Sequence, residues 1–167
     1  LKHLEKALQY LEDAKNQFKP ISFTSPRGGG LWLEGPYTQY YWWVATGETD
    51  LSRRRELLQK ALQAAPEGLV RAENSGYLDI ICHQHSMYNA ALRELAKITA
   101  DPDEKRGLLE KALTHMIESC RISEQIEPPS SWNVNLMRVD RALTRSDLAD
   151  LAKDHETKKN MLQESIS

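Results

Sequence analysis

Two cysteines and three histidines in the middle of the sequence are the first candidates for chemistry: Cys82, His83, His85, His115 and Cys120. Thiolate and imidazole groups are the usual ligands of structural zinc, which takes four of them in a tetrahedron. An antiparallel helix pair would bring residue 82 opposite residue 120. The set has none of the usual Cys-x-x-Cys or His-x-x-x-His spacings, so cysteines packing in a core are the favoured interpretation and no metal is predicted.

The sequence offers a single candidate for a catalytic group, Glu34. The glycines at 28–30 lack the Gly-Lys-Ser/Thr ending of a phosphate loop, and no nucleophile elbow or Ser-His-Asp ordering is present. The segment Trp32-x-Glu34-Gly35 is similar to one that opens an inner helix in some carbohydrate-active α/α-toroids. That resemblance implies a sugar stacked on an aromatic ring and Glu34 as acid or base. We predict no enzyme and no cofactor, with a toroid fragment using Glu34 as the alternative.

The composition is that of an ordinary globular chain of 167 residues, 40% hydrophobic and 28% charged. A net charge of −2 argues against a nucleic-acid binder driven by bulk charge. No apolar run is long enough to span a bilayer, and no signal-peptide pattern opens the sequence. Because only two cysteines occur, a reducing compartment is favoured. We therefore expect one cytoplasmic domain that binds neither nucleic acid nor membrane.

Three segments of the sequence are versions of one another. Residues 53–62, 104–113 and 157–166 share a Leu-Leu-x-x-Ala-Leu-like block, and a shorter copy lies at 4–8. The copies are 51 residues apart (53 to 104) and 53 apart (104 to 157). Each block is preceded by an aspartate (Asp50, Asp101, Asp154) that can accept from the N–H groups of a helix's first turn. A long period with helical chemistry in every copy is typical of stacked helical hairpins.

A second helix is predicted upstream of each aspartate. Residues 37–45 align with residues 88–96 at an offset of 51. In the third copy Val139 and Leu143 keep this offset but Leu148 needs 53, which predicts a two-residue insertion with a kink or break at 144–146. Loops rich in helix breakers are predicted at 19–36, 65–76 and 123–131. Beside the helix that Asp50 begins, helices are expected near 2–18, 36–47, 76–99, 103–121, 133–152 and 156–166. The predicted core is Leu8, Leu11, Tyr41, Val44, Leu58, Leu62, Tyr88, Leu92, Leu95, Leu109, Leu113, Met116, Leu148 and Leu162.

The leucine-small pair Leu95-Ala96, followed by Ala112-Leu113, resembles the tetratricopeptide repeat pattern over residues 37–166. The unit is longer than the ~34 residues of a standard repeat, and another α-solenoid would give similar spacing. The resemblance implies an all-α, right-handed superhelix of about three helical hairpins. Its units are a fragment at 1–18 and hairpins at about 36–64, 76–121 and 133–166, in a single domain. Such a module is expected to be a protein-interaction scaffold with a concave surface.

The same resemblance carries binding residues onto particular positions. The concave groove would receive Trp42 and Thr46 from the first hairpin, and Arg93 and Lys97 from the second. Together with Asn89, the last two form an i, i+4, i+8 stripe that could grip a peptide carboxylate. A solvated helix face is the competing interpretation. The third hairpin offers Ser146 and Asp150 instead, which does not extend such a clamp.

Trp42 and Trp43 align with Arg93 and Glu94, which places both tryptophans on a polar face. Exposed tryptophans are costly unless something covers them. Either the 19–36 loop covers them, with 31–36 ordered and 24–30 mobile, or they anchor a protein partner. Both alternatives stay open at this point.

The two ends of the sequence lack the polar caps that helical arrays need. We therefore expect a piece of a longer array, or ends that a partner covers. A stripe of Met161, Leu162 and Ile166 in the last helix could pair with its own copy, which predicts a possible homodimer.

Overall fold

A computed structural model describes the backbone of residues 3, 5–7, 9, 10, 13, 34–126, 131–152 and 154–166. Every regular element among these residues is an α-helix, so the all-α prediction is confirmed. The helices are α1 (Glu34–Thr46), α2 (Leu51–Ser75), α3 (Leu78–Lys97), α4 (Pro102–Ser123), α5 (Ser131–Ala149) and α6 (His155–Ile166). The described residues between 3 and 13 are helical as well.

The three predicted aspartate caps are confirmed. The Oδ1 atoms of Asp50, Asp101 and Asp154 accept hydrogen bonds at 2.7, 2.7 and 2.8 Å from the backbone N–H three positions on. Each bond satisfies one of the N–H groups that a helix start leaves without an intrahelical partner. The backbone N–H of Thr157 thereby holds the pKa of Asp154 below its usual value. Pro102 adds to the second start, because its fixed φ suits the first helical turn.

Helix α2 is longer than expected, and the predicted loop at 65–76 is wrong. The helix continues through Pro66, whose ring faces solvent, to Ser75. It ends where Gly76 adopts a left-handed conformation at φ 71°, which glycine tolerates without strain. Small buried residues form a helical stripe on both sides of the proline, with Ala61 and Ala65 before it and Gly68 and Ala72 after it. Burial of this face outweighs the helix-breaking tendency of the proline.

The predicted kink at 144–146 is also wrong, because α5 runs without interruption to Ala149. Val139 and Leu143, which had been aligned with core positions, are 54% and 46% exposed. Thr144 is fully buried at the position that Ala91 occupies in α3, 53 residues earlier. An offset of 53 therefore relates the starts of α3 and α4 to those of α5 and α6, and α5 is continuous where the break was expected.

The chain divides into two compact units, residues 1–77 and residues 78–167. In the first unit α1 packs against α2. Aliphatic side chains from both helices are fully buried there: Val44, Ala45, Leu57, Leu58 and Ala61. The prediction of a single repeat domain over 1–167 stays a prediction.

In the second unit each helix packs on the next, α3 on α4, α4 on α5 and α5 on α6. One core cluster contains Cys82, Met116, Cys120, Ile122 and Met137. Another joins Ala96, Leu109 and Leu148 from three successive helices. The interior also holds many polar side chains, among them Asn89, Ser119 and Thr144.

Most of the predicted core is confirmed. The buried members are Tyr41, Val44, Leu58, Leu92, Leu95, Leu109, Met116 and Leu148, while Leu62, Tyr88 and Leu113 are half-buried. Leu162 is 37% exposed, so its place in the core list is wrong: α6 packs against α5 through Met161, one position earlier. Leu8 and Leu11 lie outside the described residues. No described helix is long and apolar enough to cross a membrane.

Candidate interaction surfaces

Helix α1 carries two aromatic pairs, one of which includes the predicted Trp43. Trp43 is 37% exposed, and its ring meets that of Tyr40 edge to face, with centroids 5.5 Å apart. Such edge-to-face pairs hold aromatic rings in a fixed orientation. One turn away Tyr37 and Tyr41 stack at 5.9 Å, and both are buried. Helix α1 therefore anchors itself through two tyrosines and presents Trp43 to solvent.

Trp42 and Thr46 have environments that differ from that of Trp43. Trp42 is half-buried, and its indole N–H has no hydrogen-bond partner in the part of the chain that the structure describes. Thr46 is exposed, but its hydroxyl donates to the carbonyl of Trp43 at 2.8 Å. Of the predicted 19–36 loop, which could cover the tryptophans, residues 19–33 lie outside the described residues and residues 34–36 belong to α1. Of the two tryptophans, Trp43 is thus the more accessible.

Only one of the three residues in the predicted stripe on α3 is exposed to solvent. Asn89 is 1% exposed, and its side-chain amide donates at 3.0 Å to the carbonyl of Ala112 in α4 and at 3.0 Å to the hydroxyl of Thr144 in α5. The assignment of Asn89 to an exposed groove is therefore corrected. Its amide joins three helices inside the second unit, where an unmet hydrogen bond would be costly.

Arg93 is held in a similar way, one turn further along α3. Its guanidinium binds Asp147 of α5 through Nε at 2.9 Å and through a terminal nitrogen at 2.8 Å. The arginine side chain is only 14% exposed, so a peptide carboxylate would have to compete with this ion pair. Lys97 is the exposed member of the stripe and pairs with Glu94 on its own helix. The structure thus brings Asn89 and Arg93 to the α3–α5 contact and leaves Lys97 at the surface.

A signal for the burial of Asn89 was present in the sequence. Cys82, His85, Asn89, Leu92 and Ala96 follow one another at steps of three and four, which is one face of a helix. All five are buried. The tetratricopeptide resemblance instead grouped Asn89 with the polar residues Arg93 and Lys97, although Asn89 also lies on this apolar face.

The cysteines and histidines form buried contacts between α3 and α4. The Cys82 thiol lies 3.2 Å from the hydroxyl of Ser119, which donates to the Cys82 carbonyl at 2.9 Å. Burial raises the pKa of both Cys82 and Cys120, which keeps the thiols protonated and unreactive. No group of three or more potential ligands suited to a metal ion occurs among the described residues.

His85 and His115 form a close pair, with their Nδ1 atoms 3.1 Å apart. The His115 ring also stacks on Tyr88 at 4.0 Å. Burial, and next the neighbouring His85, lower the pKa of His115 to about 4. His115 is therefore neutral at physiological pH, and one of the two Nδ1 atoms must donate while the other accepts.

Glu34, the residue of the carbohydrate alternative, is the first residue of α1. Its side chain and Trp32 lie outside what the structure describes. Tyr37, the nearest described aromatic, is 3% exposed and offers no face for a sugar to stack on. The carbohydrate alternative stays a prediction.

No protein-family model matches the sequence, and no curated protein matches it significantly.

Proposed function

We propose that this chain is a protein-interaction module without chemistry of its own, and that Trp43 is a central contact for its partner. The observation that carries the proposal is the exposed indole of Trp43, held edge to face by Tyr40 on a helix anchored by buried tyrosines. A large aromatic ring fixed in this way loses little conformational entropy on binding, which is why tryptophan and tyrosine recur in binding hot spots.

The arrangement of the second unit supports a repeat scaffold. Asn89 and Arg93 of α3 bond to Thr144 and Asp147 of α5, the helices that open two successive hairpins. Capped hairpins whose first helices are bonded to one another suit a stacked array that presents a rigid surface. A right-handed, tetratricopeptide-like superhelix with a concave binding face is the finer form of this proposal.

Affinity enrichment with the purified chain and two variants tests the function. Trp43→Ala removes the proposed anchor, while Val70→Ala removes an exposed apolar side chain from α2 in the same unit. Any protein retained by the wild type is then purified and titrated directly. We expect Trp43→Ala to weaken binding about tenfold or more, the loss of a hot-spot residue, and Val70→Ala to change it less than about twofold.

The proposal would be contradicted if the wild type and Trp43→Ala retain the same proteins with equal affinity. Circular dichroism and urea unfolding of each variant separate a lost contact from a lost fold. An oligosaccharide array run in parallel addresses the alternative, because binding or hydrolysis of a glycan that is lost in Glu34→Gln would favour the carbohydrate function.

A further inference from the structure

A second surface, on α5, carries an apolar stripe. Leu136, Val139 and Leu143 are 37%, 54% and 46% exposed. Their spacing of three and four residues places them on one side of the helix. The opposite side of α5 is buried through Met137, Thr144 and Leu148. Helix α5 is therefore apolar on both sides, although only one side contributes to the described core.

The charge beside the stripe is acidic. Asp140 is a helical neighbour of both Leu136 and Leu143, and Asp147 is a neighbour of Leu143. Asp147 is neutralised by Arg93. Asp140 is half-buried, and its carboxylate forms no ion pair or hydrogen bond within the described residues. Burial raises the pKa of Asp140, and the charge of Arg93 offsets this in part. The stripe is thus bordered by a carboxylate that is near the charge of Arg93 but forms no direct ion pair among the described residues.

This charge decides between two kinds of occupant. A second copy of the chain, docked symmetrically across the stripe, would bring the two Asp140 carboxylates to the middle of the contact, where like charges repel. A partner that places a lysine or arginine there would gain a charge-assisted hydrogen bond in a partly dehydrated position.

We propose that the α5 stripe of Leu136, Val139 and Leu143 docks an amphipathic helix of a protein partner, which carries apolar residues at i, i+3 or i+4, and i+7 and a basic residue that pairs with Asp140. Helix-in-groove recognition reads its target through anchors at this spacing. The proposal does not rest on Trp43.

Phage display tests the proposal. A library of helical peptides is selected against the whole chain, and the enriched peptide is then titrated. We expect enriched peptides to combine the apolar spacing with lysine or arginine at one flanking position. Val139→Asp should weaken the enriched peptide about tenfold or more. Ile117→Asp is the matched control, because Ile117 is an apolar residue of α4 that is 45% exposed. It should alter binding less than about twofold.

A charge exchange examines the role of Asp140. Asp140→Lys should weaken the basic peptide, and replacing the peptide's basic residue by glutamate should restore its binding to that variant. The proposal is overturned if no helical peptide is enriched, or if Val139→Asp and Ile117→Asp bind alike. It is equally overturned if sedimentation shows a wild-type dimer that Val139→Asp dissociates, since a second copy would then occupy the stripe.

Discussion

At the residue scale, Asn89 shows how a polar side chain fixes the position of three helices. Its amide group satisfies the Ala112 carbonyl and the Thr144 hydroxyl, and all of this lies out of reach of water. A buried amide is tolerated only with its partners in place, so this bond also selects the register of α3 against α4 and α5.

We predict that Asn89→Ala lowers the free energy of unfolding by about 2–4 kcal/mol, because it leaves a small cavity and removes two buried hydrogen bonds between helices. Lys97→Ala, at the exposed end of the same helix, should cost less than about 0.5 kcal/mol. Urea unfolding followed by circular dichroism gives both values. Equal stability of the two variants would show that the interhelix bonds do not form.

His115 makes the stability of the second unit depend on pH. Its pKa is about 4 in the folded chain, compared with 6.5 for an unperturbed histidine. The unfolded chain therefore binds more protons than the folded chain between these values, and the stabilisation present above pH 6.5 is lost as the pH falls toward 4.

We predict that the free energy of unfolding falls for both the wild type and His115→Phe when the pH is lowered from 7 to 4.5. The decrease should be about 1–3 kcal/mol larger for the wild type. Phenylalanine keeps an aromatic ring on Tyr88 but binds no proton. Carboxylates titrate in both proteins and cancel in the comparison. Parallel pH profiles for the two proteins would rule out the lowered pKa of His115.

At the element scale, the features that depend on a few neighbouring residues were predictable. The aspartate caps, the helix starts at 102 and 155 and most of the core follow from local spacing. The errors arose where tertiary burial competes with a local signal. The sequence predicts a loop around Pro66, and it aligns Val139 with Tyr88 of the preceding repeat at an offset of 51. Burial beyond the proline and the face of α5 that packs on its neighbours decided both cases.

Leu109 tests the packing between these elements, because it joins Ala96 of α3 and Leu148 of α5 in one cluster and is 1% exposed. Leu109→Ala should lower the unfolding free energy by about 2–5 kcal/mol, the usual result of truncating a core leucine. Ile117→Ala, two turns along the same helix and exposed, serves as the matched control and should cost about 1 kcal/mol or less. Similar losses for both would mean that this cluster is not a packed core.

At the scale of the whole molecule, the chain combines two compact units that each offer a surface, Trp43 in the first and the α5 stripe in the second. Helical periodicity predicts only part of which residues are exposed on these surfaces. The alignment of Trp43 with a polar position made exposure one of the two alternatives that the sequence leaves open. The α5 stripe was not predicted, because its residues carry the same apolar signal as a core face.

The most direct test of the proposed function is site-specific photo-crosslinking in cells, with a benzophenone amino acid placed at position 43 or, for comparison, at position 70. A group at position 43 lies on the proposed contact, whereas position 70 is an exposed site on α2. We expect a discrete crosslinked protein species from position 43 and no such species from position 70. The absence of any crosslink at position 43, or identical products from both positions, would contradict it.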